Sequence, residues 1–144
     1  MVQRILVAVD GSESSDKALE YAARTAKAEK ADLTILAVVE PEHPKVHTLP
    51  ADETPSYDEK ERERLKQVLK DDAQKVKAKS ASVQVEMKLM FGIPVEEISR
   101  ECREGEYNLV VVGSRGISGI KGIILGSVSK GVADTAPCPV LIVK

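Results

Sequence analysis

Several things are scarce in this chain. Only 2 of its 144 residues are cysteine, Cys102 and Cys138. Two thiols do not make the disulfide framework of a small secreted scaffold, so the fold must rest on a packed core. There is no excess of base: 21 Lys and Arg stand against 23 Asp and Glu, a net charge of −2. A dedicated nucleic-acid binder needs a basic face to displace counterions, and this balance argues against one. No apolar run approaches the ~20 residues that span a bilayer, so no membrane segment is expected. The opening Met1-Val2-Gln3-Arg4-Ile5 leads straight into a strand-like run rather than a signal peptide, and a cytoplasmic location is the expectation. Internal repeats, linkers and low-complexity stretches are absent, so residues 1–144 read as one domain.

What is present is 42% hydrophobic and 31% charged, enough for a real core and too apolar for disorder. Arg4-Ile5-Leu6-Val7-Ala8-Val9 is a continuous branched run, the pattern of a strand covered on both faces. It ends at the turn cluster Asp10-Gly11-Ser12, where Ser12, Ser14 and Ser15 are candidate N-caps. Leu19, Ala22, Ala23 and Ala26 then share one helical face. Leu33–Val39 is a second buried-type strand. The next stretch, 40–56, holds four of the seven prolines and both histidines, a long irregular connection. Its His43 and His47 have no third ligand nearby, so no metal site is expected there. Ser56 and Glu59 fit a capping box before the apolar stripe Leu65, Val68, Leu69, Ala73 and Val76. The charges from Glu59 to Lys77 read as a solvated helix face.

Val83, Val85, Met87 and Leu89 alternate with Gln84, Glu86 and Lys88, which predicts a strand with one wet face near a sheet edge. Pro94 suits a first helical turn, followed by Val95, Ile98 and Cys102 on one face. Cys102 is expected to be simply buried, and Cys138, between two prolines, to pack rather than react. Leu109–Val112 and Val140–Val143 complete five strands.

Strands alternating with helices predict an α/β fold, an open five-stranded parallel sheet with helices on both faces. The burial patterns favour the order 3-2-1-4-5. That order reverses direction between strands one and four, and ligands in such sheets sit beyond the strand C-termini at the reversal. Asp10 and Gly113 stand at those two ends.

The second of these ends opens a glycine-rich stretch, Gly113-Ser114-Arg115-Gly116, then nine residues, then Gly126-Ser127-Val128-Ser129. Strand, glycine loop and helix start together make an anion cradle, because the first helical N–H groups lack intrahelical partners. Between Gly113 and Gly126 lie Arg115 and Lys121 and no acid. Ser127 and Ser129 add hydroxyls, and Asp10 across the crevice suits a ribose hydroxyl or a metal ion. The P-loop pattern is missing around Lys121, and so is G-x-G-x-x-G. On these residues alone two readings stand: a phosphate cradle, or a strand-to-helix loop whose serine merely caps the helix.

The sequence resembles the universal stress protein family from Ile5 to Val143. Its opening Ile5–Ser12, its Gly113–Gly116 with Leu125–Ser129, and its ending Cys138–Val143 carry the resemblance. The family's ATP-binding branch has G-x-x-G, nine residues, then G-[ST], and Ile117–Leu125 is nine residues. The resemblance implies that Gly113, Gly116, Gly126, Ser127, Val128 and Ser129 surround a triphosphate. It implies that Ala8, Val9 and Asp10 line the adenosine end, with Asp10 near the ribose or a divalent ion, Mg²⁺ or Mn²⁺. Val38 would meet the adenine through its backbone, and Arg115 matches a position that is often basic. It also implies a homodimer through the last strand, Val140–Val143. The function implied is an ATP-binding regulatory module of the stress response, with an enzyme (a slow ATPase or nucleotidyl transferase) as the alternative. Asp10 is the only carboxylate placed at the crevice, no histidine lies near the loop, and the S-G-G-x-D-S signature is missing. Holding is therefore expected over hydrolysis.

Overall fold

A computed structural model describes residues 2–42, 53–115 and 126–144. The elements run β1 (Arg4–Ala8), α1 (Glu13–Glu29), β2 (Asp32–Val39), α2 (Glu59–Lys79), β3 (Val85–Phe91), α3 (Pro94–Glu104), β4 (Leu109–Gly113), α4 (Ser127–Thr135) and β5 (Val140–Val143). The sheet order is β3-β2-β1-β4-β5, every neighbouring pair parallel. The expected α/β architecture and strand order are thus the observed ones. Val7 sits between Ile35 of β2 and Val111 of β4, the centre of the sheet.

The strand pleat sends alternate residues to opposite layers. Ile5, Val7, Leu33, Ile35 and Val111 pack under α1 and α2 with Leu19, Ala22, Leu65 and Leu69. Leu6, Leu36, Val110 and Val112 pack under α3 and α4 with Ile98, Cys102 and Val132. The small stripe of α1, with Ala18, Ala22 and Ala26 almost fully buried, lets that helix lie close to β1 and β4.

Two local expectations are corrected. α2 is capped by Asp58, whose carboxylate accepts from Lys60 N at 3.0 Å, not by Ser56. Ser56 instead donates to Glu42 Oε2 at 2.8 Å, and Glu42 N to Ser56 O at 2.9 Å. With the Pro41–Tyr57 bridge, these bonds join the two ends of the 40–56 connection, so the serine is spent on the stem. Residues 43–52, including His43 and His47, lie outside the described residues.

The wet face expected on β3 is observed, with Glu86 and the preceding Gln84 exposed at this edge strand, and the second correction concerns its apolar face. On the polar face Lys88 is half-buried and reaches across to Glu101 of α3, Nζ to Oε1 2.5 Å. Met87, on the supposedly buried face, is 46% exposed because α2 covers only part of this edge strand. Among the described residues no helix is long and apolar enough to cross a membrane.

Candidate functional site

The crevice lies where β1 and β4 end side by side. On the β1 side, Ala8 closes the strand and Val9 is buried, its N–H donating to Leu36 O at 2.8 Å. The chain then turns through Gly11, whose φ of +84° favours glycine. Asp10 Oδ1 accepts from Ser12 N at 2.9 Å, a local carboxylate-backed turn. Ser12 caps α1 by accepting from Ser15 N at 3.2 Å, and Asp10 N donates to Ser15 Oγ at 3.3 Å. The turn is therefore preset by bonds within six residues of sequence.

A residue outside the sequence-based site secures it. Arg64 of α2 donates from Nη1 to Asp10 O at 2.9 Å. Its other guanidinium edge binds Glu61, Nη2 to Oε1 2.7 Å and Nε to Oε2 2.9 Å. The bidentate bond to Arg64 holds the Glu61 carboxyl below its ordinary value, and Glu61 raises Arg64 in turn. A crossover helix must start at the C-terminal ends of the strands, so the first turns of α2 arrive beside this crevice. That topological signal was available in the sequence, where Arg64 is hidden among the charges of a solvated face.

On the β4 side, Gly113 pairs with Val143 of β5, and Ser114 N donates to Val143 O at 2.8 Å. A Cβ on Gly113 would stand 2.7 Å from the carbonyl carbon of Ser14, so α1 approaches too closely for any side chain. Ser14 also receives Arg115 N at 3.2 Å and donates to Val143 O at 3.4 Å. It links α1, the start of the glycine stretch and the end of β5. Sequence reading placed Ser14 only as a possible cap, since its partners lie about a hundred positions or more away.

Gly126, the N-cap of α4, donates its N–H to Ser114 O at 2.6 Å. Both ends of the glycine stretch are therefore joined. The Ser129 hydroxyl donates toward Ser114 O (3.2 Å) and Gly126 O (3.0 Å) and is buried, so it braces this junction. The first intrahelical bond is Lys130 N to Gly126 O, 3.1 Å. The N–H groups of Ser127, Val128 and Ser129 precede it in the turn where helical donors have no partner within the helix. No acid lies in that first turn. Arg115 is exposed, while Gly116 and the nine residues after it lie outside the described residues.

Val38 stands two positions beyond the last β1–β2 pair, half-buried and paired with Met90. The structure thus brings Ala8, Val9, Asp10, Gly113, Gly126, Ser127, Val128 and Ser129 to the C-terminal edge of the sheet, with Val38 near the end of neighbouring β2. Among the described residues no three His, Cys, Asp or Glu side chains cluster as a metal site. A lone Asp10 carboxylate is still compatible with Mg²⁺, which is commonly held by one or two carboxylates plus phosphate oxygens and water.

Comparison with known proteins identifies the fold and the family. The model of the universal stress protein family matches residues 1–144. Universal stress protein YxiE of Bacillus subtilis is 41% identical, with 100% of each chain covered. Among solved structures, the universal stress protein UspA from Lactobacillus plantarum superposes with a TM-score of 0.82 at 26% identity, covering 99% of this chain and 98% of that one. A universal stress protein solved in complex with cAMP gives a TM-score of 0.72 at 29% identity, covering 99% and 97%. The chain belongs to the universal stress protein family.

Proposed function

We propose that this chain is a nucleotide-holding regulatory protein whose ligand is ATP with Mg²⁺ or Mn²⁺. The observation that carries this reading is the junction of Ser114 with Gly126 and Ser129. It sets an uncapped helix start beside a strand-end glycine, opposite the preset Asp10 turn. Phosphates sit on the N–H groups of Ser127, Val128 and Ser129, where the helix dipole is positive. Asp10 faces the ribose or the cation, Val38 meets the base, and Arg115 and Gly116 close the phosphate end. The relative solved with cAMP supports an adenine nucleotide in this family. The bound divalent ion supplies charge neutralisation to the phosphates.

Hydrolysis is not the favoured outcome. A phosphoryl-transfer site needs a residue that orients water or takes its proton. Asp10 is the carboxylate at the crevice, and its Oδ1 is engaged by Ser12 N. ATP binding in this reading changes assembly or partners. The edge strand β5, with Leu141 36% exposed, is the proposed antiparallel dimer seam.

Native mass spectrometry of the purified chain tests the reading by detecting bound nucleotide. A nucleotide-sized mass increment, or its appearance on adding ATP and Mg²⁺, is expected. Empty protein at millimolar ATP contradicts it. Single-turnover phosphate release should stay well below ~1 s⁻¹, the low end for enzymes.

A further inference from the structure

Two thiols 36 positions apart in sequence meet on the α3/α4 face, Cys102 Sγ lying 2.7 Å from Cys138 Sγ. Both are free. A disulfide sets its sulfurs about 2.05 Å apart, a shortening of about 0.65 Å along the line joining them. The two belong to different elements. Cys102 lies in the second half of α3 and is 1% exposed. Cys138 lies between α4 and β5, flanked by Pro137 and Pro139, and is half-buried. Pro139 O accepts from Val110 N at 3.0 Å, which anchors the Cys138 segment to β4. The same layer holds Leu6, Ile98 and Val110.

We propose that Cys102 and Cys138 are an oxidisable dithiol, a modification site at which a hydroperoxide forms a disulfide tying α3 to the segment entering β5. Cys138, the more exposed of the two residues, reacts first. Its thiolate attacks a peroxide oxygen, the O–O bond breaks, and the departing alkoxide or hydroxide takes a proton and leaves as alcohol or water. Cys138 is then a sulfenic acid. Cys102 Sγ attacks that sulfur, the S–O bond breaks, and the Cys102 proton leaves with the hydroxide as water. Two thiols and one hydroperoxide give one disulfide, one alcohol (or water) and one water.

Burial, reinforced by the hydrogen bond with Cys138, pushes the Cys102 thiol up to about 12. It is not a thiolate at neutral pH, so its place is the second step, where adjacency replaces intrinsic reactivity. The covalent loop would enclose β4 and α4. Closing a loop of this length is expected to raise the unfolding midpoint by roughly 5–10 °C.

The test uses the reduced full chain, exposed to a few equivalents of hydrogen peroxide, denatured and alkylated. The expected result is a mass lower by two hydrogens, no alkylated cysteine, and a cross-linked peptide pair containing Cys102 and Cys138. The raised midpoint should return to its starting value with dithiothreitol. With Cys138→Ser, Cys102 should stay reduced and alkylatable at the same dose. With Cys102→Ser, Cys138 should accumulate sulfenic acid that dimedone traps. Two alkylatable thiols in treated wild-type protein would overturn the proposal. So would a disulfide only between copies, or Cys138 oxidised to sulfinic acid with Cys102 untouched. The peptide map needs no variant, so a folding defect in either serine form does not decide the result.

Discussion

The two faces of the sheet are built from different chemistry. Under α1 and α2 the layer is aliphatic, from Ile5 and Val7 through Leu33, Ile35 and Leu69. Its clearest polar exception is Asp72 of α2, buried, with Oδ2 lacking a hydrogen-bond partner. Under α3 and α4 the core is smaller and carries polar groups. Lys88 pairs with Glu101, which also accepts from Tyr107 OH at 3.2 Å. Arg4 stacks over Tyr107, 4.7 Å from its ring centroid. Ser99 and Thr135 share a hydrogen bond of 2.6 Å, and the two thiols meet in the same layer. One face holds the sheet together through area. The other fixes α3 and α4 through specific bonds, and α4 begins at the crevice.

If that contrast is right, truncation on the aliphatic face is the most damaging change. Ile35→Ala, at a fully buried central position, should cost about 3–4 kcal/mol, read from denaturant unfolding. Glu101→Ala tests the polar face. Glu101 is 9% exposed in its side chain and Lys88 34%, so stranding Lys88 should cost nearer 2 kcal/mol than the ~3–5 of a fully buried pair. An equal or larger loss than Ile35→Ala would erase the distinction.

Asp72 offers the opposite sign. Burial chiefly, with Asp16 and Asp71 adding and Lys75 opposing, pushes its carboxyl up to about 6. Its folded value lies above the unfolded one, so the unfolded chain binds fewer protons between about pH 4 and 6. Stability from this group is therefore highest below about pH 4 and is lost as pH rises through about 6. Asp72→Asn should raise stability by about 1 kcal/mol at pH 7.5, allowing for screening through Lys75, and change little at pH 4. Unfolding midpoints at the two pH values check this, and a destabilised variant at pH 7.5 would contradict it.

A smaller effect is expected from Arg64→Ala. It frees the Asp10 carbonyl, a bond worth about 1 kcal/mol, and should weaken ATP binding roughly 3–10-fold with little change in the fold. Unchanged affinity would leave Arg64 a surface ion pair with Glu61 and nothing more.

Much of this was legible in the sequence for a physical reason. Covered strands such as Ile5–Val9 and small helical stripes such as Ala22–Ala26 record burial in residue type, and burial sets the strand order. Glycine at Gly113 and Gly126 recorded close approach and a helix start. What stayed hidden depends on partners far along the chain. Ser14 meets Arg115, Lys88 meets Glu101, and Cys102 meets Cys138 only because parallel crossovers stack them. The α1 cap was among the serines expected, Ser12, but the α2 cap was missed for a nearer reason: Asp58 and Ser56 are both good acceptors, and tertiary contact with Glu42 decided between them.

In the proposed function, the uncapped start of α4 holds the nucleotide phosphates. Gly126 has φ −76° and ψ 169°, a conformation open to any residue, so Gly126→Val tests space at the helix start rather than backbone strain. Titration calorimetry of ATP with Mg²⁺ should give saturable binding to the wild-type chain and at least a tenfold loss in a folded Gly126→Val. Equal binding by the two proteins, or none by the wild-type at millimolar ATP, would contradict it.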